Sequence, residues 1–368
     1  MPAERPYPVG LVMGVRPHFI KAAAMQSAWS RMGDARPPVD PVFVNIGQHY
    51  DDELAGVYFR ELAVNVDVDL THRHQSHDTD QIVLHSIDLL MHIARERGLR
   101  GLVVFGDANA ALVGAVAARL LGLPLAHIEA GLRRGDRSTA EEINTCIADQ
   151  VASLHLAASH VDVLNLENEG FADSTYFVGD VVRDLVAELC DAGLVNVDRH
   201  VNSNAPVVAT FHRAESMNAE TLWAFSKLLA ATERPVDLYA HPRLVAELKN
   251  YCIQLPDNVT VSKPIAYVPM LQAIADAYYV ITDSGALQRE AFYLGRRALV
   301  AQRIPFWRSL TNAGYHLTID LGAGDVDAAP QRMRELLLDP APAVDDFGER
   351  GVCRKVWYRL GEWIEGFV

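Results

Sequence analysis

Cysteine is scarce. The four thiols, Cys146, Cys190, Cys252 and Cys353, are far apart and form no CxxC or Cys/His spacing, which argues against a disulfide framework or structural zinc and for buried or inert thiols in a reducing compartment. No apolar stretch reaches about 18 residues, and residues 1–8 hold no basic region leading into an apolar cleavable segment, so neither a membrane span nor a leader is read and a cytoplasmic location is expected. Positive charge is outnumbered, with Lys+Arg 33 against Asp+Glu 47 and a formal charge of −14; such a field repels a phosphate backbone and argues against nucleic-acid or anionic-membrane partners. An anionic small molecule would need local cations to overcome it. The GxGxxG turn of a dinucleotide site is also missing, since the first apolar run ends in Gly14-Val15-Arg16-Pro17, and neither a Walker A sequence nor HExxH occurs. Nicotinamide, ATP and zinc-protease chemistry lose their main support, and no cofactor or metal is expected.

What is present is a globular composition, 50% hydrophobic and 22% charged over 368 residues, which suits two domains at roughly 100–200 residues each. Apolar runs of strand length recur at 8–15, 41–47, 101–107, 124–130, 154–159 and 176–179, with amphipathic helical patterns between them. Near-continuous apolar strands imply burial on both faces, hence a parallel sheet with helices on each side. After a polar stretch at 191–204 the rhythm restarts at 206–211, 236–241, 259–263, 278–283 and 298–301. The expected architecture is α/β: two Rossmann-like doubly wound domains, 1–195 and 205–350, facing a central cleft, with 351–368 a C-terminal helix able to pack back on the first domain. Open α/β sheets bind ligands at the carboxyl ends of their strands, so the chemistry is sought there.

At the first strand end, Arg16-Pro17-His18 is followed one helical turn on by Lys21; a helix start flanked by two cations suits an anion, although solvated charges at an ordinary helix start would look the same. Asp107 ends the run Gly101-Leu-Val-Val-Phe-Gly106, either as a functional carboxylate or as a helix cap. The most informative segment is His127-Ile128-Glu129-Ala130-Gly131-Leu132-Arg133, with Glu141-Glu142-Ile143-Asn144 after it. A carboxylate at the end of a buried strand is costly unless paired or used, so Glu129 is either salt-bridged, with Arg133 the nearest candidate, or catalytic. Asp107, Glu129 and Glu141 come from adjacent strand ends and could converge, which would push their pKa values apart into an acid and a base; a structural hydrogen-bond network is the alternative.

In the second half, Thr210-Phe211-His212-Arg213-Ala214-Glu215-Ser216 pairs two cations at a strand end, able to hold a phosphate and donate protons. His241-Pro242-Arg243 closes the next strand and is a weaker signal. Thr282-Asp283-Ser284-Gly285 opens a helix whose N–H groups suit a phosphate, with Gln288 and Glu290 in its first turns and Glu290 able to accept from ribose hydroxyls.

Taken together, RP(x)3K, HIEAGLR with EEIN, HR(x)ES and TDSG(x)LQ(x)EA resemble the non-hydrolysing UDP-N-acetylglucosamine 2-epimerases, in order, from about Gly14 to Gly314. The resemblance implies a glycosyltransferase B-type fold, a homodimer and interconversion of UDP-GlcNAc and UDP-ManNAc. It also implies Asp107, Glu129 and Glu141 as catalytic carboxylates, His212 as catalytic histidine, and Arg16, Lys21, Ser284, Gly285 and Glu290 as substrate contacts. Arg133, Arg213, His241 and Arg308 are further expected substrate contacts. The chain departs from the family pattern at His18 (Glu in the family), Phe211 and Ala286 (Gly in the family), and Pro305-Phe306-Trp307-Arg308-Ser309, which replaces TERPE and leaves Arg308 one place from the family's Arg; the family's allosteric site is matched in part, at Gln48-His49. A hydrolysing 2-epimerase releasing ManNAc and UDP, and a glycosyltransferase of the same fold, stay open as alternatives.

Overall fold

The structure, a computed structural model, describes residues 6–48, 61–73, 78–198, 202, 204–213, 216–322 and 326–367. It divides into two compact units: residues 1–185 with 345–368, and residues 186–344. The second-domain positions Glu215 and Ala214, and His49, lie outside the described residues.

The first unit runs β1 (Tyr7–Met13), α1 (Arg16–Met32), β2 (Val39–Asn45), β3 (Val68–Asp69), α2 (Thr79–Glu96), β4 (Gly101–Phe105), α3 (Asn109–Leu121), β5 (Leu125–Ala130), α4 (Ala140–Val151), β6 (Leu154–Ala157), α5 (His160–Asn168) and β7 (Thr175–Phe177). Its sheet is parallel, in the order β3-β2-β1-β4-β5-β6-β7. The order reverses between β1 and β4, the switch point at which such sheets bind ligands. The alanine-rich α3 explains how a helix sits so close over this point: a Cβ added to Gly114 would lie 2.3 Å from Val104 Cγ1, so only a hydrogen fits between helix and sheet. Its buried face, Ala110, Ala111, Val113, Ala115, Ala117 and Ala118, joins Val12, Val44, Leu102 and Val104 in one core.

The chain leaves the first unit inside α6 (Val181–Asp191), ahead of the polar stretch 191–204. The second unit runs β8 (Val207–Thr210), α7 (Ala219–Ala231), β9 (Val236–Tyr239), α8 (Pro242–Asn250), β10 (Val259–Ser262), α9 (Tyr267–Asp276), β11 (Val280–Thr282), α10 (Gly285–Tyr293), β12 (Ala298–Ala301), α11 (Arg308–Asn312), β13 (Leu317–Ile319) and α12 (Ala329–Leu338). Its sheet is also parallel, in the order β10-β9-β8-β11-β12-β13, with its switch between β8 and β11. Phe211 belongs to this core, stacked on Phe225 with ring centroids 4.4 Å apart. The bulky residue where the family has Gly therefore points inward.

From Asp345 the chain belongs to the first unit again, and α13 (Val352–Glu365) packs on α1 and β2 of that unit. Its apolar stripe carries Trp357, whose Nε1 donates to the Met25 carbonyl at 2.9 Å, and Trp363, whose Nε1 donates to Ser153 Oγ at 3.0 Å. Both indoles thus bury their rings with the N–H satisfied. Among the described residues no helix is long and apolar enough to cross a membrane.

Candidate active site

In the first unit the expected residues gather where β1, β4 and β5 end. Glu129 does not pair with Arg133, as the sequence suggested; its carboxylate is bonded to the ammonium of Lys21, from α1, and both side chains are sealed from solvent, at 8% and 4% exposure. Lys21 is therefore engaged with a protein carboxylate. Arg133 is held elsewhere: one guanidinium nitrogen lies 2.7 Å from Asp149 Oδ2, and Nε and Nη2 donate to Glu169, both at 2.7 Å. A guanidinium bound on both edges by carboxylates has little left for a substrate, so Arg133 is reassigned from substrate contact to internal strut.

The backbone at Glu129 is unusual. Its φ is +68°, in the left-handed region, and the β5–β6 register shifts between Ile128 and Ala130. A bulge re-aims a side chain, and a non-glycine residue in this conformation costs roughly 1–3 kcal/mol. Here it turns the carboxylate toward Lys21. Gly106, at the end of β4, is the counterpart: with φ +56°, a Cβ there would stand 2.8 Å from Glu129 Oε2 and 3.0 Å from Lys21 Nζ. Gly106→Ala is accordingly expected to lower stability by about 1–3 kcal/mol and to depress turnover with it; a variant with the wild-type Tm and rate would show that the pair tolerates displacement.

Asp107 follows Gly106, and its carbonyl accepts from Asn144 Nδ2 at 3.1 Å, which ties it to the first turns of α4. Glu141 lies half-buried in that first turn, whereas its neighbour Glu142 is buried and accepts the N–H groups of Arg134 and Gly135 at 2.7 and 3.2 Å. Of the two adjacent glutamates, Glu142 is committed to the loop and Glu141 is not so committed by these bonds. The segments bearing Asp107, Glu129 and Glu141 thus meet through Gly106 and Asn144. Arg16 begins α1 and is half-buried; His18 is buried, its ring 6.0 Å from that of Phe105.

Beneath these segments lies Asp149, which no sequence motif singles out. Fully buried on α4, it receives His127 Nδ1 at 2.6 Å, the Gly131 N–H at 3.1 Å and Arg133 at 2.7 Å. His127 Nε2 lies 2.8 Å from the Gly106 carbonyl, an acceptor only, so a proton on each ring nitrogen satisfies both contacts. Burial alone would raise the Asp149 carboxyl, but His127 and Arg133 together outweigh it and hold it below the ordinary carboxylate range. The only sequence signal is periodicity: Glu142 and Asp149 lie seven residues apart on the buried face of α4.

In the second unit, Asp283 at the end of β11 is completely buried and organises the His212-Arg213 segment. Its Oδ2 accepts the N–H groups of His212 and Arg213 at 2.9 and 2.8 Å, its Oδ1 stands 3.0 Å from His212 Nδ1, and its carbonyl accepts Arg213 Nε at 2.8 Å. Burial pushes this carboxyl up, but the bonds from His212 and Arg213 win and hold it low. Ser284 caps α10, its hydroxyl accepting from the Leu287 N–H at 3.4 Å, while Gly285 opens the helix. The altered loop lies against this turn: Phe306 contacts the position a Gly285 Cβ would fill, Trp307 Nε1 donates to the Gly285 carbonyl at 2.8 Å, and the guanidiniums of Arg213 and Arg289 lie over Phe306 and Trp307. Glu290 is buried in α10 and Arg308 is exposed at the start of α11. His241 uses Nδ1 to cap α8, accepting from the Arg243 N–H at 3.2 Å, which gives it a structural task. Among the described residues no group of three or more His, Cys, Asp or Glu is arranged to hold a metal ion.

Two parallel Rossmann-like sheets, each carrying ionisable side chains at its strand ends, define a two-unit α/β fold of the glycosyltransferase B type. The sequence profile of UDP-N-acetylglucosamine 2-epimerases matches residues 31–360, and the chain belongs to that family of isomerases. A UDP-2,3-diacetamido-2,3-dideoxy-D-glucuronate 2-epimerase of Pseudomonas aeruginosa is 29% identical over 84% of this chain and 87% of its own length. The UDP-N-acetylglucosamine 2-epimerase of Escherichia coli K12 is 25% identical over 94% and 96%. The fold matches that of the Methanocaldococcus jannaschii UDP-GlcNAc 2-epimerase crystallised with UDP-GlcNAc and UDP, with a TM-score of 0.84 at 22% identity, covering 96% of this chain and 99% of that one.

Proposed function

We propose that the chain is a homodimeric, non-hydrolysing nucleotide-sugar 2-epimerase that interconverts UDP-GlcNAc and UDP-ManNAc. The observation that carries the reading is Glu129: a carboxylate kept sealed beside Lys21 on a left-handed backbone at the end of β5, next to the switch between β1 and β4. Strain and a buried charge maintained together at one strand end are characteristic of working groups rather than of packing.

The chemistry begins with the bond to UDP. The hydrogen at carbon 2 is not acidic while the anomeric carbon is saturated. As the anomeric C–O bond breaks, its electron pair leaves with the diphosphate, oxocarbenium character develops, and the carbon-2 proton becomes removable. A carboxylate takes that proton and the C1–C2 double bond of a 2-acetamidoglucal forms. UDP then adds back to carbon 1 while a proton is delivered to the other face of carbon 2. Inversion needs two proton-transfer groups or one that moves, and Asp107, Glu129 and Glu141 are the groups assigned to it. Arg16, His212, Arg213 and the Ser284–Gly285 turn are assigned to the departing diphosphate, where cations and oriented N–H groups stabilise developing charge. Glu290 is assigned to the nucleoside.

The test is incubation with UDP-GlcNAc in deuterium oxide, followed by proton NMR. Deuterium at carbon 2 of an intact UDP-sugar, in both epimers, is the expected result. Free sugar and UDP appearing in step would replace epimerisation by hydrolysis, and turnover without exchange would remove the carbon-2 proton transfer. Glu129→Gln is expected to lower turnover about 10²–10⁴-fold with UDP affinity nearly unchanged. Running the same assay with the 2,3-diacetamido uronate named for the Pseudomonas relative ranks the two sugars by kcat/KM, and light scattering gives the oligomeric state.

A further inference from the structure

We propose that Asp283 is a positioning residue for His212, fixing which ring nitrogen faces the leaving diphosphate. The inference rests on the epimerase reading above, and within it names a residue that works entirely from behind. Asp283 is fully buried, so it touches no substrate, while the His212 side chain above it is 45% exposed. One carboxylate oxygen holds the backbone of His212 and Arg213 through two N–H bonds, at 2.9 and 2.8 Å. The other stands 3.0 Å from His212 Nδ1. A carboxylate can only accept, so this nitrogen carries a hydrogen, and Nε2 is the atom left to exchange a proton with a ligand.

With a hydrogen on each ring nitrogen, as the anomeric C–O bond breaks and its electron pair moves onto the β-phosphate oxygen, the Nε2 proton passes to that oxygen and His212 becomes neutral, its Nδ1 still facing the Asp283 carboxylate. Re-addition returns the proton to Nε2, so the cycle is balanced. The carbonyl of Asp283 meanwhile holds Arg213 Nε at 2.8 Å and accepts Gln302 Nε2 at 2.6 Å, so the turn that carries the carboxylate is itself braced.

Asp283→Asn separates geometry from charge. The amide oxygen can keep both backbone N–H bonds, but its NH2 group faces Nδ1 and cannot accept from it, which selects the opposite tautomer. The expected result is a fall in kcat of about 10²–10³-fold, a KM within about 3-fold of wild type, and no further loss when Asp283→Asn is added to His212→Gln. A mere folding role predicts instead an equal loss in both backgrounds, and that outcome overturns the proposal, as does a variant with wild-type kcat. If the variant folds poorly, nitrogen-15 NMR of histidine-labelled wild type, with His212→Gln to assign the signal, reads the tautomer directly: a neutral His212 protonated at Nδ1 supports the assignment and one protonated at Nε2 refutes it. Failure of the epimerase reading itself shows differently, as a wild-type enzyme that places no deuterium at carbon 2.

Discussion

Lys21→Met is expected to cost the enzyme more than 100-fold in turnover at neutral pH while leaving the shape of α1 unchanged. Methionine fills nearly the same space but removes a positive partner of Glu129, and the carboxylate is almost fully buried. Breaking a buried ion pair from one side typically costs about 3–5 kcal/mol, because the remaining charge is left unsolvated. The protein can relieve part of that cost by protonating Glu129, and a protonated carboxyl cannot accept the carbon-2 proton. The sign with pH follows. In the variant, burial raises the Glu129 carboxyl above its value in the unfolded chain, so folding favours the protonated form. Raising the pH therefore restores ionised Glu129 and part of the rate, yet lowers the Tm relative to wild type. A pH–rate profile recorded beside thermal melts checks both limbs. A variant with the wild-type profile would mean that Glu129 does not depend on Lys21 for its charge.

That pair also marks where the sequence stopped being informative. The apolar runs ending at Gly106, Ala130 and Asp283 announce β4, β5 and β11, because strands buried on both faces leave an unbroken apolar signature. The two-residue β3 and the three-residue β13 leave none: at the sheet edges a strand can be so short that periodicity has nothing to repeat. The strand-end residues Asp107, Glu129, His212 and Ser284 are legible for the same reason that the strands are, since a polar residue just past an apolar run is conspicuous. Their partners are not. Lys21 and Glu129 are 108 residues apart, and a helix start with two cations reads equally well as an anion site or as half of an ion pair. Arg133, near Glu129 in sequence, is turned away by the left-handed backbone at Glu129 and Gly131 and meets Glu169 instead. His241 reads as a strand-end ligand but satisfies the start of a helix whose first residue is Pro242. The second carboxylate of each unit's polar cluster, Asp149 and Asp283, acts by contacts at long sequence separation, 22 and 71 residues to the ring it faces.

Of these hidden contacts, the Asp149 hub carries the largest expected effect on stability. Asp149→Ala is expected to remove about 3–5 kcal/mol. It strands His127, which has no exposure, and frees Arg133 from one of its two carboxylates. It also withdraws the acceptor of the Gly131 N–H, next but one to the strained Glu129, and loosens the ring that holds the Gly106 carbonyl. Stability and turnover should therefore fall together, with all three acid-bearing segments losing their common anchor. The pH dependence distinguishes this from a simple cavity. Because the folded-state pKa of Asp149 is depressed, its contribution is complete above the unfolded value, about 3.9, and is lost as the pH falls through the lower folded value. Wild type should thus lose stability on acidification over that window, and the alanine variant should lose less, its denaturation midpoint converging on wild type as the pH drops. Parallel curves, offset equally at pH 7 and pH 3, would reduce the effect to lost packing volume. Asp149→Asn adds a second axis: it keeps the volume and an acceptor for Gly131 but not the charge, so a loss close to that of alanine identifies the attraction of His127 and Arg133, rather than the hydrogen bond to the backbone, as what holds the strand ends in place.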